Sequence, residues 1–116
     1  MVANGFRSTL RDSRISEYRI DEMIKLIEEL NNREHVFLVR LPVSETIFEI
    51  ENEFYPGFDS LIESIASTNT IAFFNMQHLQ GEMVFNDGHH INRSYAPKCT
   101  ALIALWIKQH GTQNAN

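Results

Sequence analysis

Residues 86–92 read Asn-Asp-Gly-His-His-Ile-Asn. Asp87 stands three residues before His90, in a Gly-containing loop ahead of an apolar helical pattern. At that spacing a carboxylate can accept from one imidazole nitrogen and fix the tautomer of the ring. The other nitrogen is then free to take a proton from a nucleophile. The chemistry implied is general-base catalysis, with His90 as base and Asp87 as its orienter. The bland alternative is a turn, because Asn-Asp-Gly is a strong turn former. The order of elements around the loop favours the dyad. No nucleophile motif of comparable quality stands upstream of it.

Other polar residues compete for roles. His89, next to the dyad, reads as a lining residue of a pocket rim, since consecutive loop residues point apart. A rival metal chemistry would draw on His78, Asp87, His89 and His90, as imidazole with carboxylate suits zinc. Their spacing matches no zinc motif. Ser44, in Leu-Pro-Val-Ser-Glu, lies just beyond the carboxyl end of an expected strand, where α/β sites gather. It reads either as a substituted nucleophile or as a helix cap, and it lacks the Gly-flanked sharp turn that exposes a nucleophilic serine. Arg40, near the same strand end, is a weak candidate for holding an acidic substrate or a helix carboxylate. Phe73, Phe74 and Trp106 read most simply as core, and the Glu run at 45–53 as a solvated face.

The elements that must position these residues follow from periodicity. Residues 1–15 are polar and aperiodic and read as a loose lead-in. A helix is expected over 16–31, with Ile20, Met23, Ile24, Ile27 and Leu30 on one face and Ser16 as its N-cap. Residues 35–41 (His-Val-Phe-Leu-Val-Arg-Leu) suit a strand covered on both faces, stopped by Pro42. Residues 43–55 form a mixed stretch with a short helix. A further helix is expected over 56–67, with Phe58, Leu61, Ile62 and Ile65 at helical spacing and Pro56 near its start. A second buried strand follows at 70–74, then a loop over 75–92 that carries the Asp-His motif. The last helix runs over about 94–109, with Pro97 in its first turn and Gly111 ending it, and 112–116 is a polar tail. Alternation of this kind implies parallel strands with helical crossovers, an α/β class. Two strands leave long apolar edges. The domain is therefore expected either to lack an N-terminal half or to meet another chain, possible arrangements being a longer protein or a homodimer.

Bulk properties set the bounds. The chain has 116 residues, enough for one domain, with 43% hydrophobic and 22% charged residues. A net charge of -5 argues against a nucleic-acid surface, which requires clustered Lys and Arg. The local basic run Arg7, Arg11, Arg14 and Arg19 is interleaved with Asp12 and Glu17 and reads as a solvated face. Cys99 is the single cysteine, so an intrachain disulfide is impossible; it falls in an apolar helical pattern and reads as core. No apolar run reaches the roughly 18 residues of a membrane helix. The first ten residues lack the apolar region of a signal peptide. Taken alone the chain reads as cytoplasmic; as a piece of a longer protein, a cell-envelope or secreted setting stays open.

At Asp87-Gly88-His89-His90-Ile91-Asn92 the chain resembles the last conserved block of the SGNH (GDSL-like) hydrolase superfamily. That block reads Asp-x-x-His, often with Gly after the Asp and an apolar residue and Asn after the His. A strand ending in Leu-Pro, a helix, a strand, a loop bearing the dyad and a closing helix resemble the second half of that three-layer α/β/α, flavodoxin-like fold. The likeness spans roughly residues 16–110. The Val-Arg-Leu-Pro-Val-Ser-Glu stretch also looks like members acting on cell-surface polysaccharides or on alanyl esters of teichoic acid. The resemblance implies that His90 is the general base, that Asp87 orients it, and that a serine in an N-terminal Gly-Asp-Ser block attacks an ester. That block, the oxyanion Gly and the Gly-x-Asn-Asp block have no match here and are expected upstream of Met1. The implied activity is ester hydrolysis or O-acyl transfer on an ester or acylated carbohydrate-type substrate, with no metal or organic cofactor, and without the serine block the chain is expected to be inactive alone. The alternative reading is a truncated, non-enzymatic relative: a small binding or scaffold protein, as a homodimer that covers its own sheet edges.

Overall fold

A computed structural model describes residues 2–11 and 13–114, with side chains placed for 5–11 and 13–111. Asp12 of the basic run and residues 115–116 of the expected tail lie outside the described residues, as does Met1. Five α-helices and two strands follow one another: α1 (Val2–Arg11), α2 (Glu17–Asn31), β1 (Phe37–Arg40), α3 (Glu45–Phe54), α4 (Phe58–Thr68), β2 (Ala72–Asn75) and α5 (Ala96–Asn114). Short 3-10 helices occupy Met76–Glu82 and Arg93–Tyr95.

β1 and β2 pair in parallel, Phe37 opposite Ala72 and Arg40 opposite Asn75. Alternate side chains leave the two faces of this sheet. Leu38 and Phe73 pack with Met23, Ile24 and Ile27 of α2 and with Leu61, Ile62, Ile65 and Ala66 of α4. Val39 and Phe74 pack instead with Cys99, Leu102 and Ile103 of α5 and with Met76 and Met83. Trp106 stacks on Phe74 at 5.2 Å and meets Phe37 edge-on at 5.6 Å. Helices therefore cover both faces of a two-stranded parallel sheet, a mixed α/β arrangement, and Phe73, Phe74, Trp106 and Cys99 are core as their patterns imply. Burial pushes the Cys99 thiol up from its ordinary pKa.

The caps explain where the helices begin and end. Ser16 accepts from the Arg19 amide at 3.2 Å and starts α2. α4 ends in a Schellman motif: the Thr70 amide donates to the Ser67 carbonyl, and the Ile71 amide to that of Ala66. Buried Ile71 packs on Ile65 and Ala66, the apolar contact that accompanies this motif. The position that requires positive φ holds Thr70 (φ 54°) rather than glycine. Past the strands, buried Gln77 replaces the ladder. Its Oε1 accepts from the Val43 amide at 2.9 Å, and its Nε2 donates to the Val43 carbonyl at 2.8 Å. This holds the two segments together where Pro42 has stopped β1.

Three expectations are corrected. The loose lead-in at 1–15 contains α1, because Phe6 and Leu10 sit four apart on one helical face and pack against the body, while Arg7 bridges to Glu53 of α3. Gly111 does not end α5, which continues to Asn114; Gly111 keeps a negative φ, and a single glycine costs a helix only about 1 kcal/mol. Thr112 to Asn114 of the expected tail are accordingly helical in backbone. The Glu run is not simply a solvated face: Glu45 and Glu49 are exposed, but Glu51 and Glu53 pair with Arg40 and Arg7. Among the described residues no helix is long and apolar enough to cross a membrane.

Candidate functional site

The Asp-His loop leaves the second core cluster and returns to it. Phe85 and Ile91, both packed there, form an antiparallel bridge at its base. The Asn86 amide donates to the His90 carbonyl at 2.9 Å, and the Asn92 amide to that of Val84 at 2.7 Å. Asn92 also accepts from the Ser94 amide and hydroxyl, capping the 3-10 helix that leads into α5, and its Nδ2 donates to Asn86 Oδ1 at 2.8 Å. The loop tip is fixed from the other side. The Ser44 amide, just after β1, donates to the Gly88 carbonyl at 2.8 Å.

Within this frame Asp87 organises both histidines. Its Oδ1 accepts from the His89 amide at 2.9 Å and the His90 amide at 2.8 Å, and its Oδ2 lies 2.6 Å from Nδ1 of His90. The His90 ring bond, followed by the His90 and His89 amides, holds the Asp87 carboxyl well below the usual carboxylate range. An ionised Asp87 accepts and cannot donate, so the shared proton sits on Nδ1, and in the neutral ring Nε2 of His90 carries the lone pair. Among the described residues Nε2 makes no hydrogen bond, and the His90 side chain is 78% exposed. The arrangement is that of an oriented base with its accepting nitrogen turned to solvent.

Gly88 makes the loop possible. Its φ is +86°, and a Cβ placed there would meet Ile47 Cγ1 at 2.6 Å and Ser44 Oγ at 3.0 Å. The loop backbone thus lies directly on the first turn of α3, an approach open only to glycine.

The other candidates divide. Ser44 does come to the site, lying beneath Gly88, but its Oγ accepts from the Ile47 amide at 3.4 Å as the N-cap of α3. His89 is half-buried, with its ring edge-on to Phe6 at 4.4 Å, which suits a rim residue and joins α1 to the loop. Arg40 does not come to the site. Its side chain is 13% exposed, and its guanidinium pairs with Asp59 and with Glu51 at 3.2 Å and lies over the rings of Phe48 and Phe58. These contacts tie β1 to α3 and α4 and leave it no free charge for a substrate. His78 is held at the Asn75 carbonyl, and among the described residues no three His, Cys, Asp or Glu side chains gather to share an ion.

No protein-family model matches this sequence, and no curated protein or solved structure matches it. The site therefore stands on its own geometry. Sequence reasoning missed Phe6 and Gln77 as site-building residues, and it placed Gly88 in the motif without its close approach to α3. The four-residue spacing of Phe6 and Leu10 was a usable signal for the first. Gln77 carried none, because its role depends on a backbone segment 34 positions away.

Proposed function

We propose that this chain is the carboxyl-terminal part of an SGNH-type three-layer α/β domain, acting on an ester by hydrolysis or O-acyl transfer. His90 is the general base and Asp87 its orienter. The nucleophilic serine and the oxyanion donors come from outside this chain. The observation that carries the reading is the 2.6 Å contact from Asp87 to Nδ1 of His90, with no hydrogen bond to Nε2 among the described residues. Two further features support it. The dyad loop and Ser44 both lie beyond the carboxyl ends of parallel strands, where α/β sites form. Helices pack on both faces of that sheet.

In the reaction Nε2 of His90 takes the hydroxyl proton as the serine attacks the carbonyl, and Asp87 stabilises the imidazolium that forms. An ester or acylated carbohydrate is the substrate class in keeping with the resemblance. The test is fluorophosphonate labelling in source cells, read on the polypeptide recognised by an antibody to residues 94–109. The expected outcome is a labelled band heavier than 13.4 kDa, with labelling lost on His90→Ala. A labelled band at 13.4 kDa would place a nucleophile in this chain. An unlabelled native protein would remove the esterase reading altogether.

A further inference from the structure

We propose that Asp87–Gly88 is a site of isoaspartate formation and that the His90 ring holds it in check. The pair is the one Asp-Gly step in the chain. Glycine has no side chain to hinder its own amide, so its nitrogen can reach the carboxyl carbon of the aspartate before it. Among the described residues the Gly88 amide donates to no acceptor, and no hydrogen bond holds that nitrogen back. The step lies in a loop, not in a helix whose backbone would forbid ring closure, and the Asp87 side chain is 39% exposed.

The reaction exchanges one water. The Gly88 nitrogen attacks Cγ of the protonated Asp87 carboxyl. The N–Cγ bond forms, the C–OH bond breaks, and the amide proton leaves with the hydroxyl as water. A second water opens the five-membered imide at the former main-chain carbonyl of Asp87. The chain then runs through the side-chain carbon, with the mass of the parent and one more carbon in its backbone.

Three bonds oppose the first step. Oδ1 of Asp87 accepts from the His89 and His90 amides, and Oδ2 lies 2.6 Å from Nδ1 of His90. Together they fix the plane of the carboxyl, which must turn its face to the Gly88 nitrogen. They also keep it ionised, so the protonated form that can release water is scarce. The His90 ring supplies the one bond of the three that comes from a side chain, and a substitution can remove it. The product is opposed as well. The Gly88 carbonyl is held by the Ser44 amide at 2.8 Å, and Gly88 has no space toward Ile47. An added backbone carbon would lift the loop from α3 and take the carboxylate from both histidines. The inference rests on the loop geometry and holds whether or not His90 acts on an ester.

The test incubates the folded full chain for weeks near pH 5, beside the same chain unfolded in guanidinium chloride, with circular dichroism to confirm the fold of each variant. The tryptic peptide 41–93 is then cut with an endoproteinase that cleaves before aspartate and not before isoaspartate. The fraction left uncut at residue 87 is the readout. Unfolding and His90→Ala should each raise it at least five-fold. His90→Asn, whose Nδ2 can replace the ring Nδ1 against Asp87, should stay within about two-fold of wild type. His90→Phe carries the alanine test should that variant fail to fold. A His90→Ala rate equal to or below that of wild type overturns the proposal. So does an asparagine variant as fast as the alanine one, or an unfolded chain that forms no isoaspartate at residue 87.

Discussion

Replacing Gly88 with alanine isolates the contact that holds the Asp-His loop on α3. Two costs add. Holding an L-residue at φ +86° costs about 1–2 kcal/mol. The new Cβ also stands 2.6 Å from Ile47 Cγ1, an atom next to the branch point of a side chain that is 2% exposed and has no room to swing away. Overpacking of that kind costs typically 1–3 kcal/mol, through shifts of backbone or rotamer. The expected loss is therefore about 2–5 kcal/mol, a large share of the stability of any small domain. Urea unfolding followed by far-UV circular dichroism measures it, with the midpoint falling at unchanged slope. Gly88→Asn separates the two costs, since asparagine tolerates positive φ but carries the same Cβ. It should recover less than about 1 kcal/mol. An alanine variant within about 0.5 kcal/mol of wild type, or an asparagine variant that restores wild-type stability, would refute the close-approach argument.

Three further outcomes follow from the same geometry. Thr70→Gly should stabilise the protein by about 1 kcal/mol in the same assay, because glycine adopts the left-handed C′ position of α4 without strain. Gln77→Ala should destabilise it by roughly 2–4 kcal/mol, since it strips the Val43 amide and carbonyl of their partners, while Gln77→Glu sets a buried carboxylate oxygen against the Val43 carbonyl and should lose at least as much at neutral pH. Asp87 has its carboxyl pKa depressed in the folded state, so its contribution is full above the unfolded value of about 3.8 and declines as pH falls through the folded one. The stability gap between wild type and Asp87→Asn should accordingly narrow as pH falls below about 4. A gap that stays unchanged between pH 4 and 2 would contradict the depressed carboxyl.

Much of the scaffold was legible because periodicity and local capping carry it. The apolar repeat from Ile20 to Leu30 and the Ser16 cap placed α2 within a residue. The runs 35–41 and 70–74 marked both strands, overrunning the observed Phe37–Arg40 and starting before Ala72–Asn75, and their parallel pairing followed from the helices between them. α1 was hidden because its sequence is mostly polar and only Phe6 and Leu10 mark its packed face, so its docking on α3 rests on tertiary contacts that local pattern does not register. The end of α5 was misplaced because glycine is a weak breaker wherever the backbone need not turn. At the site, the Asp87–His90 contact was readable from a three-residue spacing. That Arg40 would hold a helix carboxylate was one of its two readings; which carboxylates, Asp59 and Glu51, 19 and 11 positions away, was not legible, since it depends on how α3 and α4 fold back over the end of β1.

The account rests on Asp87 setting the tautomer of His90, and long-range nitrogen–proton NMR of the imidazole at pH 9 reads that directly. A histidine ring is neutral at that pH. The account predicts a proton on Nδ1 of His90 and none on Nε2, with that preference lost in Asp87→Asn. A ring protonated on Nε2, in wild type and variant alike, would contradict it.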